Sequence, residues 1–309
     1  MKKILLSAIF LLLAINVLLS LPRAVDLIQT KVVSSNVAEG VAFSRGEVAA
    51  VEKVVLPPKD KGTLPPPLSA AAAVIKDMGS DNILYSKSAD TRLPIASTTK
   101  IMTALVAVEY FKPGDILEVP DDLGNINGSS MGLKAGEQMT FRSILFGMLL
   151  NSGNDAAYTI AENYPGGKDT FIDKMNQKAA SLGLLNSHFD NPAGYDSPDH
   201  FSTASDLAKI AAVASDNIQI AKVVATRETE VASVDLKFIH PLKNLNKLLD
   251  IPGMLGMKTG TTPLARENLV SLMERDGHIV LMVVLGSEDR FGETKKLIDW
   301  TFANFTWPT

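Results

Sequence analysis

The sequence predicts an α+β fold: an antiparallel sheet built from both ends of the chain, flanked by helices, with an all-helical subdomain inserted between its halves. Two patterns predict it. Apolar residues recur at helical spacing through the middle of the chain, from Ser97 to Ala214. Short β-branched and apolar runs bounded by turn residues lie at the start of the folded part and in the last third. A third observation sets the scale. The chain has 309 residues, 46% of them hydrophobic, enough for one large core or two small ones.

The elements follow in order. Ala70 to Ile75 and Asn82 to Ser86 are expected to be strands, joined by a turn at Met78-Gly79-Ser80-Asp81. A helix is expected from Ser97 to Tyr110. It is apolar on several faces and therefore buried, with Pro94 at its entry and Lys112-Pro113-Gly114 closing it. Arg142 to Leu150 predicts a second buried helix. The turn Asn151-Ser152-Gly153-Asn154 then leads into a helix reaching Tyr164. Thr170 to Leu182 and Ser205 to Ala214 predict amphipathic helices. Strands are expected at Glu228 to Lys237, Met254 to Lys258, Asn268 to Glu274 and His278 to Leu285, and a closing helix at Glu293 to Phe305.

Upstream, Lys2 and Lys3 precede an apolar run from Ile4 to Leu21. Its length and flanks predict a membrane anchor over residues 1–21, with a cleaved signal segment as the alternative. Residues 22–69, broken by Pro57-Pro58 and Pro65-Pro66-Pro67, read as an extended linker, leaving 70–309 as the catalytic domain. The rest of the chain would then lie outside the cytoplasmic membrane.

Composition excludes several functions. The net charge is −4 and no basic stripe appears, so no nucleic-acid partner is expected. With no cysteine there is no thiolate nucleophile, disulfide or Cys-based metal site. The four histidines (His188, His200, His240, His278) are not at zinc-hydrolase spacing. No metal or cofactor is expected.

Three short strings point to chemistry instead. Ser97-Thr98-Thr99-Lys100 places a hydroxyl and an amine three residues apart, on one face of a helix. A serine needs a base, and a lysine buried beside Ile95, Ile101 and Met102 can serve as one once its charge is suppressed. Ser152-Gly153-Asn154 offers a second hydroxyl and an amide in a tight turn; the plain alternative is helix capping. Lys258-Thr259-Gly260, followed by Thr261, offers an ammonium and a hydroxyl for a carboxylate, with a glycine that admits close backbone approach. Ser215-Asp216-Asn217 has a similar spelling but reads as an ordinary polar helix end.

The order S-x-x-K, S-x-N, K-T-G is the signature of penicillin-interacting serine acyl-transferases. The flanks narrow the match. Leu93 to Ala104, Leu150 to Ala157 and Gly256 to Thr262 resemble the low-molecular-mass penicillin-binding proteins, the serine D-alanyl-D-alanine carboxypeptidases. Gly128-Ser129-Ser130-Met131, Asn191-Pro192-Ala193-Gly194 and Phe201-Ser202-Thr203-Ala204 support it. The resemblance spans Ala70 to the end and implies the β-lactamase/transpeptidase-like fold.

It further implies roles. Ser97 would form the acyl-ester, Lys100 would accept its proton and Ser152 would relay a proton to the leaving D-alanine. Asn154 would orient the acyl chain. Lys258, Thr259 and Gly260 would hold the substrate carboxylate, and the N–H groups of Ser97 and Thr261 would form the oxyanion hole. The implied partners are peptidoglycan stem peptides, with β-lactams as inhibitors. Thr261 stands where several members carry His, and Leu264 to Glu267 replace a small-residue stretch. Arg266 and Arg290 are both candidates for a further carboxylate contact. Alternatives on the same motifs are a D,D-endopeptidase or transpeptidase and a penicillin-acylated sensor. A β-lactamase would need a water-activating glutamate, for which Glu162, Glu228 and Glu230 are the candidates.

Overall fold

A computed structural model describes residues 55–122 and 126–308. The expected anchor, and the linker up to residue 54, lie outside the described residues. Strand β1 (Lys59–Asp60) is followed by the hairpin of β2 (Ala72–Asp77) and β3 (Ile83–Lys87). A single 3-10 turn, Ala96–Thr99, enters helix α1 (Lys100–Tyr110). The short pair β4 (Ile116–Glu118) and β5 (Gln138–Thr140) leads to α2 (Phe141–Leu149) and α3 (Asn154–Glu162). Then come α4 (Gly167–Ser181), α5 (Ala204–Asp216) and α6 (Ile218–Val224). A second hairpin, β6 (Glu228–Ala232) and β7 (Ile239–Lys243), precedes the long strands β8 (Met254–Thr262), β9 (Arg266–Arg275) and β10 (His278–Ser287). Helix α7 (Arg290–Asn304) and strand β11 (Phe305–Thr306) close the chain.

The main sheet has the order β3-β2-β10-β9-β8, antiparallel throughout, so both ends of the chain build it as expected. Its middle strand, β10, shows how it is held. Leu281, Val283 and Leu285 enter the core shared with the helical region, while Val280, Met282 and Val284 enter a second core under α7, with Leu297 and Ile298. Alternation by two delivers one apolar set to each face. Each such side chain contributes about 1.5–3 kcal/mol of burial free energy.

Several elements differ from the sequence expectation. The run from Glu228 to Lys237 is not one strand. The chain turns at Ser233, where Ser233 N–H donates to Phe238 O (3.0 Å) and Asp235 accepts from Ser233 Oγ and Lys237 N–H, and β7 returns beside β6. β8 continues past Lys258 to Thr262, because β9 pairs with it at Leu269, Glu267 and Arg266. The three-residue strands β4 and β5 carry too little pattern to be seen in sequence, and α6 starts immediately after α5. Asn217 accepts from Gln219 and Ile220 N–H groups there, so the Ser215-Asp216-Asn217 string is indeed a helix boundary.

Residues 59–69, placed in the linker by sequence, dock on the folded domain. β1 pairs with β11, Thr63 N–H donates to Asn304 Oδ1 (2.8 Å), and Ala70 N–H donates to Glu293 Oε2 (3.2 Å). Among the described residues no helix is long and apolar enough to cross a membrane.

Candidate active site

The turn that carries Ser97, the candidate nucleophile, is fastened by its own threonines. Thr98 Oγ1 donates to Ile95 O (2.6 Å), Thr99 Oγ1 to Ala96 O (2.8 Å) and Thr103 Oγ1 to Pro192 O (2.6 Å). The first of these bonds, with Thr98 N–H on Ile95 O, tightens the expected α-helical start into a 3-10 turn. Ala96 is forced to φ +47°, a left-handed conformation rare outside glycine, directly before Ser97.

Lys100 is buried, and its Nζ lies 2.9 Å from Ser97 Oγ, 2.7 Å from Asn154 Oδ1 and 2.7 Å from Ala193 O. Burial first, and then the charge of Lys258, push its ammonium well below the usual lysine range; Asp155 opposes this. The Ala193 carbonyl is aimed by Asn191, whose Oδ1 accepts the N–H groups of Ala193, Gly194 and Tyr195 (3.2, 2.7 and 2.9 Å). Gly194 is at φ +92°, and a Cβ there would sit 1.9 Å from Ala96 O. Only glycine lets this loop seat against the nucleophile's turn.

Asn154 also donates through Nδ2 to Asn127 O (2.6 Å) and Tyr195 Oη (3.2 Å). Ser152 lies two residues earlier, buried, at φ +58°. Its turn is tied down by Gly153 N–H on Gly147 O (3.1 Å) and by Lys243 N–H on Asn151 Oδ1 (2.7 Å).

The edge strand β8 supplies the opposite wall. Gly260 passes so close to the nucleophile's turn that a Cβ would lie 3.0 Å from both Ile95 O and Ser97 N. Lys258 is buried, with Nζ donating to Thr259 O (3.0 Å). Burial, then the neighbouring Arg290, lower its pKa to about 7. Thr259 is buried and Thr261 exposed. Arg290, at the start of α7, donates to Gly260 O (2.8 Å) and to Thr261 Oγ1, while its Nε is buried without a partner. Arg266 instead pairs with Glu288 at the exposed surface (2.6 Å). Of the two candidate arginines, Arg290 is the one that reaches β8, from an element about 30 residues downstream in the chain from the motif; its sequence signal was a lone arginine.

His200 is a further supporting group that the motifs did not reveal. Its Nε2 is 2.7 Å from Thr99 Oγ1 and its Nδ1 is 3.1 Å from Asp190 Oδ1. The bond from His200 holds the Asp190 carboxyl well below its ordinary range. The β-lactamase glutamates do not converge on this network: Glu162 pairs with Lys168, and Glu228 and Glu230 are exposed on β6. Among the described residues no group of three His, Cys, Asp or Glu side chains could hold a metal ion.

A model of the D-alanyl-D-alanine carboxypeptidase family matches residues 59–289, and the chain belongs to that family. The D-alanyl-D-alanine carboxypeptidase DacF of Bacillus subtilis is 34% identical over 246 residues, 76% of this chain but only 63% of that protein's length. A D-alanyl-D-alanine endopeptidase of Pseudomonas aeruginosa is 30% identical over 260 residues, 82% of this chain and 84% of its own. The crystal structure of the Streptomyces K15 DD-transpeptidase superposes with a TM-score of 0.74 at 34% identity, covering 78% of this chain and 100% of that one.

Proposed function

We propose that the chain is a serine D-alanyl-D-alanine carboxypeptidase that removes the terminal D-alanine from peptidoglycan stem peptides. The observation that carries this is the environment of Lys100. Two of its three partners, Asn154 Oδ1 and Ala193 O, can only accept. A neutral amine gives them its two N–H bonds and keeps its lone pair for the Ser97 hydroxyl. Burial favours that neutral form.

Ser97 Oγ passes its proton to Lys100 and attacks the carbonyl carbon between the last two D-alanines. The N–H groups of Ser97 and Thr261 face the developing oxyanion. As the C–N bond breaks, the Ser152 hydroxyl hands a proton to the leaving amine. Water then cleaves the acyl-ester and regenerates Ser97. Lys258, Thr259 and Arg290 hold the terminal carboxylate, beside the close approach that Gly260 permits, and Asn154 orients the acyl chain. β-Lactams, which also carry a carboxylate beside a reactive acyl bond, acylate the same serine. Residues 1–21 tether or export the protein, residues 22–58 act as a spacer, and the enzyme works in the cell envelope.

A fluorescent penicillin labels the full chain, and Ser97→Ala abolishes the label. Mass spectrometry of a wall pentapeptide shows loss of one D-alanine. A second reading, endopeptidase or transpeptidase, is favoured by the names of relatives with 30–34% identity. It wins if the pentapeptide stays intact while cross-linked dimers are cut or joined.

A further inference from the structure

A buried histidine outside the motifs grips one wall of this groove. Along β7 the exposure alternates: Ile239, Pro241 and Lys243 face out, His240 and Leu242 face in. His240 Nδ1 lies 3.1 Å from Met131 O and Nε2 lies 2.7 Å from Glu137 Oε1. The Glu137 side chain is fully buried, and its other oxygen accepts the Lys134 N–H (3.0 Å). The same histidine thus clips a loop at two points six residues apart.

That loop is the wall above Asn154. Asn127 O and Ser129 O accept from Asn154 Nδ2 and N–H (2.6 and 2.8 Å). Asp155, the next residue on α3, takes the N–H groups of Met131, Gly132 and Leu133 (3.0, 2.9 and 3.1 Å). The Met131 residue is therefore held by its N–H on Asp155 and by its carbonyl on His240. Both partners of the imidazole are acceptors, a carbonyl and a carboxylate. A neutral ring has one N–H and satisfies only one of them. The charged groups facing this cluster are Glu137 from the loop and Asp155 from α3; Lys134, Glu230 and Lys243 are exposed. One further proton, shared between Nε2 and Glu137 Oε1, completes both bonds, while Lys134 N–H occupies the second carboxylate oxygen.

We propose that His240 is a positioning residue: bonded at once to Met131 O and Glu137, it holds the loop that carries Asn154's partners. Its effect on reaction rests on the carboxypeptidase reading; the clasp itself does not. Losing the ring frees both clipped points of the loop, and the wall over Asn154 loosens.

The test uses the full chain with ¹⁵N-labelled histidine rings and fluorescent penicillin. Both His240 nitrogens give the shifts of hydrogen-bonded ring atoms, and the Met131 amide moves in His240→Gln. This glutamine carries both N–H groups on one nitrogen and so does not span Met131 O and Glu137 as two ring nitrogens do; it labels about tenfold more slowly, a modest part of what misplacing a reacting group costs. Glu137→Gln restores the fit without charge: the new amide donates to Nε2 and its oxygen takes the Lys134 N–H. That variant shows a neutral ring protonated at Nδ1 and labels within about twofold of wild type. An unchanged Met131 amide in His240→Gln, or labelling of that variant at the wild-type rate, overturns the proposal. Failure of the wild type to label at all sinks the carboxypeptidase reading instead, while the nitrogen spectrum still reports on the clasp.

Discussion

At the scale of single residues, the groove gathers three cationic groups, Lys100, Lys258 and Arg290, and burial acts on all of them. The two lysines answer to different tasks. In the proposed reaction Lys100 would work as a base only when neutral, whereas Lys258 would anchor a carboxylate best when charged. The pKa of Lys258 falls from 10.5 to about 7, so the free enzyme loses this charge as pH rises through that value. KM for a carboxylate-bearing peptide therefore rises above pH 7, and binding there draws a proton onto Lys258. Calorimetry in buffers of different ionisation enthalpy measures that uptake. The sign for stability is the opposite of a salt-bridged lysine. Between about 7 and 10.5 the unfolded chain binds more protons at this position, so its contribution to stability grows with pH across that window. Arg290→Gln keeps a donor but removes the charge and the fork. Losing a charge-assisted contact of about 1.5–3 kcal/mol lowers kcat/KM for the peptide roughly tenfold to a hundredfold, read in steady-state assays.

At the scale of elements, the site is a meeting of four segments: the 3-10 turn before α1, the turn into α3, the loop from Asn191 to Tyr195, and the edge strand β8. Close approach between backbones decides their spacing. Gly194→Ala would drive a Cβ into Ala96 O at 1.9 Å, at a φ that already excludes most side chains. We expect a loss of about 2–4 kcal/mol in stability, with slower penicillin labelling even where the protein remains folded; denaturant titration and labelling rate check both. Motif spelling pointed to the candidate reacting residues more directly than to the groups that aim them. His200 and Arg290 act through contacts spanning 101 and 30 residues of sequence, whereas Asn191 acts within its own loop. The hairpin of β6 and β7 was missed in part because Ser233 and Asp235 turn the chain inside a run that otherwise alternates like a single strand. β8 outran its expected end because pairing with β9 outweighs the polarity of Lys258 and Thr259.

At the scale of the whole molecule, the domain begins before the boundary that prolines suggest. β1 pairs with β11, and Lys61 Nζ donates to Ala303 O (2.8 Å) while Trp300 Nε1 donates to Thr63 O (3.2 Å). A chain starting at Ala70 loses these ties and leaves Asn304 without partners. It should melt about 3–8 °C below one starting at Val55, equivalent to 1–2 kcal/mol for a domain of this size, as calorimetry would show.

By itself the sequence determined the family and the frame. Ser97 and Lys100 share a helical face because their spacing is three, and the apolar runs of β10 and α1 demand burial on more than one side. The tertiary structure alone decided which arginine reaches β8, how far Lys100 is stripped of water, and that residues from Lys59 onward pack with the folded chain. Those outcomes depend on desolvation and on contacts between segments far apart in the chain, and neither is encoded in local periodicity.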